Sequence, residues 1–140
     1  MAITTAITNS FKQQMLDAIH DINTDTFKLA LYTSSASMGS ATTAYSVTNE
    51  CSGANYVAGG VTLSGGTVWT DGTTVGIDFT DAVFTNITVS DIRGFLIYNS
   101  SKSDKSVAAF DFGSAASVTT SNYTLVFPVA AAATGLIRFA

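Results

Sequence analysis

From Thr26 to the C-terminus, apolar residues return at every second position in short runs separated by Gly, Ser, Asn and Asp. Period two is the spacing of a pleated strand, whose side chains alternate between the two faces of a sheet. In TFKLALYTS, Phe27, Leu29 and Leu31 point one way and Lys28, Ala30 and Tyr32 the other. Further runs are AYSVTNE (44–50), NYVAGGVTL (55–63), TVWT, TTVGIDFT, AVFTNITV (82–89), RGFLIYNS (93–100), SVAAFDFG (106–113), NYTLVFPVA (122–130) and GLIRFA (135–140). Asp71-Gly72, between TVWT and TTVGIDFT, predicts a hairpin with Val75, Ile77 and Phe79 on one face. RGFLIYNS is apolar on both sides, which predicts a central strand covered on both faces. SSASMGSATT reads as a polar loop and NSSKSDKS as an exposed hairpin tip. Pro128 falls late in its run and predicts an edge or a strand end.

Ahead of this region, SFKQQMLDAIHDI (10–22) carries a helical period. Phe11, Met15, Ile19 and Ile22 make one apolar stripe, with Asn9 or Ser10 as N-cap and Asn23 as the stop. Turn signals every 8–12 residues then predict the rest. The chain reads as one all-β domain over 1–140, a jelly roll or β-sandwich of about eight antiparallel strands. One N-terminal amphipathic helix, at about 10–22, packs on one side or end, and the strands run from about 26 to 140.

Charge narrows the function classes. Only 11% of the residues are charged, against about 25% in an ordinary domain. Ser and Thr, 37 residues together, supply the polarity instead. So little charge points to a surface partly covered by partner molecules. The net charge of −4 and the scattered Lys12, Lys28, Arg93, Lys102, Lys105 and Arg138 argue against nucleic acid, which requires a basic stripe to neutralise phosphates. No apolar run is long enough to span a membrane. The N-terminus lacks the layout of a secretory leader, so synthesis in a reducing cytoplasm is expected, and the sequons at Asn86, Asn99 and Asn122 carry no meaning there. Cys51, alone in the chain, is expected to be structural.

Candidate chemistry centres on DAIHDINTD (17–25), with the sole histidine. Asp17, His20 and Asp21 stand at i, i+3 and i+4, one face of a helix. A metal centre needs three or four ligands in sharp geometry, usually including some from another segment. The simpler reading is a solvated helix face with His20 complementing the helix dipole in the last turn and Asp25 in the following turn. One histidine offers little for a Ser–His–Asp triad. Asp71, Asp78, Asp81 and Asp91 could pair for glycoside hydrolysis, but turn and solvent-facing roles account for them. The glycines of YVAGGVTLSGG lack the Lys-Ser/Thr and the helix of a phosphate loop and predict a bend or bulge. No catalytic residue, metal or cofactor is assigned. Trp69, near a loop tip, is read either as core packing or as an interface anchor. Trp69 with Asp71, and Tyr45 with Asn49, are the best aromatic–polar pairs for a glycan.

FKQQMLDAIHDINTDTFKLALYTSSAS, NYVAGGVTL, and RGFLIYNSSKSDKSVAAFDFGS with the tail GLIRFA resemble small proteins of tailed-bacteriophage genomes. That group includes the capsid cement, or head decoration, proteins of short-tailed phages. The likeness covers nearly the whole chain, and its most distinctive parts are DTFKLALYTS and the IYNSSK–DFG hairpin. It implies a virion structural protein bound outside the capsid, cross-linking and stabilising major capsid subunits, itself a homo-oligomer (a dimer or trimer). It implies no catalytic residues. The alternative is a glycan-binding or tail-associated jelly-roll module. Trp69, Tyr45, Lys102 and Lys105 are the residues expected at the interface.

Overall fold

The computed structural model describes residues 2–140. Its elements are β1 (Ala6–Ile7), α1 (Asn9–Leu16), β2 (Phe27–Tyr32), β3 (Gly53–Ala54), β4 (Val61–Thr62), β5 (Thr67–Asp71), β6 (Thr74–Asp78), β7 (Ala82–Asn99), β8 (Lys105–Leu125) and β9 (Ile137–Phe139). The larger sheet runs β1-β8-β7-β2-β4, with β3 also paired to β7, and the smaller runs β5-β6-β9. Every strand pairing is antiparallel. This is the all-β sandwich with an N-terminal helix that the alternation predicts.

RGFLIYNS is central, lying between β2 and β8. One face of this region, including Leu29, Leu31 and Ile97, joins Phe11 of α1 and Ile77 and Ile137 of the small sheet in the main core. The opposite face, with Ala30, Tyr32, Leu96 and Tyr98, is covered by Ile3, Ala36 and Met38, with Tyr45 against them. The loop SSASMGSATT is therefore a lid over the second face, which explains why the strand is apolar on both sides. Gly94 lets the layers close, because a Cβ there would sit 2.2 Å from the Phe110 carbonyl oxygen and 2.9 Å from Ile3 Cδ1.

AVFTNITV and RGFLIYNS are one strand, β7, and SVAAFDFG and NYTLVFPVA join into β8, with Pro128 just beyond its end. Between Phe84 and Gly94 the register shifts four times. The residues near these shifts include Asn86, Asp91, Gly113 and Thr120, all at positive φ. Bulges absorb extra residues while pairing continues, so polar breaks that read as turns stay inside a strand. The Asp71-Gly72 hairpin forms as expected, with Gly72 at φ 60°.

Two expectations fail. The helix ends at Leu16, not near residue 22, and its N-cap is Thr8, whose Oγ1 accepts from Phe11 N at 3.3 Å. Asn23 is not the stop. Ala18 adopts φ 57°, a left-handed conformation that a helix cannot continue through. Segments 44–50 and 55–63 form no long strands. Asn49 (φ 61°), Asn55 (φ 62°), Gly59 (φ 95°) and Gly60 (φ 75°) turn the chain repeatedly instead. Gly60 is obligatory, since a Cβ would lie 1.8 Å from the Leu29 carbonyl oxygen.

Candidate interaction surface

Glu50 fixes the shape of the connection between β2 and β4. Its carboxylate is buried and accepts from Tyr45 Oη at 2.6 Å, Tyr56 Oη at 2.8 Å and Gly59 N at 2.8 Å. Tyr56 Oη in turn accepts from Leu31 N, and Tyr98 Oη donates to the Gly59 carbonyl. A buried carboxylate is tolerated when its lone pairs are filled in this way. Burial, and then the Glu50 carboxylate, push the Tyr45 hydroxyl well above the ordinary phenol range, so it stays a donor. Burial likewise raises Tyr98, to about 12. This network was missed in the sequence, yet a signal was present: Glu50 is the lone charged residue between Lys28 and Asp71.

With these anchors, residues 33–50 run back along the sheet to the β7–β8 hairpin tip. Ala44 bridges to Lys105, Tyr45 N donates to the Asp104 carbonyl at 2.9 Å, and Ser106 Oγ donates to the Thr42 carbonyl at 2.8 Å. The two polar loops that stand apart in sequence thus become one continuous platform. Ser34, Ser35, Ser37, Ser40, Thr43 and Ser46 face out from it, and Val47 stands 64% exposed. A cleft of about 280 Å³ opens beneath, between Tyr32, Met38, Thr42 and Leu96.

Of the four expected interface residues, the platform gathers three. Tyr45 is half-buried, stacked on Tyr98 with ring centroids 4.7 Å apart. Lys105 begins β8, and Lys102 sits in the 3₁₀ turn of the tip with Nζ 3.6 Å from Asp25 Oδ1. Trp69 is elsewhere, in the small sheet. Its ring lies against Gly76 and Gly135, each of whose ideal Cβ positions is 2.3 Å from Trp69 Cζ2. Its Nε1 is buried and has no partner among the described residues.

His20 is buried, contrary to the solvated helix face expected for it. Helix α1 stops before it, and Asp17, His20 and Asp21 share no helical face. The ring packs on Phe11 at 4.8 Å between centroids. Asn99 Nδ2, which can only donate, reaches both His20 Nδ1 (2.9 Å) and Asp25 Oδ2 (2.7 Å). Nε2 therefore carries the proton and donates to Gln14 Oε1 at 2.9 Å. The imidazole is neutral, held so by burial foremost, which lowers its pKa against the pull of Asp25. Burial acts to raise the Asp25 carboxyl, but Asp21 N–H, Asn99 and Lys102 outweigh it and hold the group below its usual value. All five polar atoms of this chain of contacts are matched, so it acts as a clasp between the 17–26 connection and the hairpin end.

The remaining carboxylates are dispersed. Asp71 accepts from Ala132 N, Asp78 from Phe79 N, Asp81 from Phe127 N, and Asp91 from Ser34 N and Oγ. Each serves a different backbone group, and no two of them face each other in these contacts. Cys51 is buried with Sγ 3.8 Å from the Asp91 carbonyl oxygen, and burial raises its thiol to about 12. Among the described residues no group of His, Cys, Asp and Glu is arranged to hold a metal ion. Compared with protein-family models, curated proteins and solved structures, the chain has no significant match.

Proposed function

We propose that this chain is a virion structural protein, a cement protein on the outer surface of a phage capsid. Its partner is the major capsid protein, and its work is to cross-link and stabilise neighbouring subunits as a small homo-oligomer. The observation that carries the reading is the platform of residues 34–48 and 99–106. It is irregular backbone, yet Glu50, four tyrosines and the hairpin tip hold it in one shape. A pre-formed loop surface loses little conformational freedom on docking, which favours affinity. Its exposed hydroxyls suit a polar rim and Val47 an apolar contact within it. Glycan binding is the weaker reading, because Tyr45 uses one ring face on Tyr98 and Trp69 lies on two glycines.

The test adds purified protein to undecorated phage heads and measures binding, then release of packaged DNA on heating. Binding that raises the release temperature is expected, with a preference for expanded heads over precursor shells, since a ligand of one state stabilises it by mass action. Val47→Lys should weaken binding while leaving the circular dichroism spectrum unchanged. Absence of binding to heads of either kind would overturn the proposal.

A further inference from the structure

Asn99 is the pivot of the clasp. It has no exposed surface, and three neighbours fix which way round its amide sits. Oδ1 accepts from Ser101 N at 3.0 Å and so caps the 3₁₀ turn Ser100–Lys102. The two hydrogens of Nδ2 go to His20 Nδ1 and to Asp25 Oδ2. Turning the amide over would set Oδ1 against the Asp25 carboxylate and Nδ2 against the Ser101 N–H, so only one orientation is satisfied. A proton on His20 Nδ1 would bring an N–H against that NH₂, two donors with no acceptor between them. An imidazolium that took Asp25 Oδ2 for itself would displace Asn99 all the same.

We infer that His20 is a proton-operated latch: a proton taken up at Nδ1 frees Asn99, uncaps the hairpin tip and loosens the adjoining edge of the platform, while the sheets stay paired. The tip depends on the latch because its turn is strained. Ser103 (φ 55°) and Asp104 (φ 58°) are left-handed without being glycine, a conformation that persists only where surrounding contacts impose it. On its far side the tip carries the platform: Tyr45 N donates to the Asp104 carbonyl at 2.9 Å and Ser106 N to the Thr43 carbonyl at 3.0 Å. Three charged groups face His20: Asp25 from the 17–26 connection, Lys105 from β8 and Lys102 from the turn. From α1 it meets Gln14 and Phe11, and from β2 Phe27, all uncharged. Burial and the two lysines oppose the imidazolium, Asp25 favours it, and the neutral form prevails. The closed latch therefore binds the proton less readily than an opened one. It is held shut above 6.5 and gives way as pH falls through the lowered value. Histidine is the side chain that ordinarily titrates between about pH 5 and 8, and the chain has no other.

The effect on docking rests on the platform reading above, whereas the latch itself is measured on the free chain. NMR should show the His20 imidazole titrating below 6.5. Amide exchange, corrected for intrinsic rates, should show Tyr45, Ser100 and Ser106 losing protection by up to about tenfold per pH unit below that value. They should open at a lower free energy than the β2–β7 ladder. His20→Gln does not titrate but can still accept from Asn99, and it should keep the tip protected in acid. Lys102→Gln, at a partly exposed position, removes both a repelling charge and an ion pair and should move the titration toward 6.5. On phage heads, binding should weaken over the same interval for wild type and not for His20→Gln. Binding that ignores pH in a protein whose tip does open would count against the platform as the docking surface, and the latch would stand. A tip whose protection is independent of pH, one that loses it equally in His20→Gln, or one that opens only together with the β2–β7 ladder would each overturn the inference.

Discussion

Replacing Glu50 tests whether one buried carboxylate holds the platform together. In Glu50→Ala, Tyr45 Oη, Tyr56 Oη and Gly59 N lose their acceptor. Hydrogen bonds to a charged group contribute about 1.5–3 kcal/mol each, and an unsatisfied buried donor costs about 1–3 kcal/mol. The half-buried tyrosines recover part of this by turning to water, whereas Gly59 N, in a buried residue, does not. The expected loss is about 3–5 kcal/mol, from one donor left fully unsatisfied and two that recover only in part. For a chain of this length that lowers the melting temperature by about 10–17 °C. Glu50→Gln separates charge from shape. Its amide oxygen still accepts from Tyr56 and Gly59, and its NH₂ can donate to Tyr45 Oη once that hydroxyl turns. The loss should then be about 1–2 kcal/mol. Thermal and urea unfolding measure both, and limited proteolysis should cut Glu50→Ala first within residues 43–60. If Glu50→Ala unfolds within about 0.5 kcal/mol of wild type, the range for an unimportant surface position, the carboxylate does not organise the loops.

The clasp at His20 should make stability pH-dependent. The folded state holds His20 below its ordinary 6.5, so the unfolded chain binds the proton more readily; the stabilisation is complete above that value and is lost as pH falls through the lowered folded pKa. His20→Gln should cost about 1–3 kcal/mol near neutrality and flatten that slope. Urea midpoints taken from neutral to mildly acid pH would show parallel slopes in both proteins if the reasoning is wrong. In the core, Leu31→Ala and Ile97→Ala, at positions with no exposed surface, should each cost about 2–5 kcal/mol by opening cavities, read from unfolding midpoints. Gly76→Ala would drive a Cβ to 2.3 Å from both Trp69 Cζ2 and the Ile137 carbonyl oxygen. It should cost about 1–3 kcal/mol and shift the emission of Trp69 to the red as the ring is displaced.

Strand content was legible because burial on one or two faces imposes period two directly. RGFLIYNS shows it best, with every residue from Gly94 to Asn99 buried. The helix end was not legible. Ile22 is buried and Ile19 half-buried although neither is helical, because the connection after α1 lies on the same core and extends the helical spacing by coincidence. Periodicity records which residues are covered, not which backbone carries them. His20 was misplaced for a different reason: its partner Asn99 is 79 residues away, and nothing local distinguishes a matched buried imidazole from a wet one. The platform lay between these cases. Its loops were recognisable, but their union depends on the contacts of Glu50 and on the long-range Ala44–Lys105 bridge, made by residues ordinary in themselves.

The N-terminal segment separates the platform from a groove lined by Phe95, Phe110, Phe112 and Phe127. Thr4 lines the cleft on the side of residues 37–43, while Thr5, pointing the other way, lines the phenylalanine groove. Alternation along an extended segment thus assigns neighbouring residues to different surfaces, and the two clefts share no lining residue. A homo-oligomer whose contact lies away from the platform leaves it open, so a dimer presents two of them. When one platform docks, the second meets its site at an effective concentration set by the dimer's geometry, and avidity exceeds the affinity of a single platform without new contacts. The two surfaces then have separable signatures on phage heads. A variant that breaks the oligomer should weaken binding but leave the single-platform affinity measurable. Val47→Lys should reduce the affinity of each platform and leave the dimer whole. If breaking the dimer left head binding at its full strength, the two surfaces would serve unrelated ends, and cross-linking would have to come from one platform touching two capsid subunits.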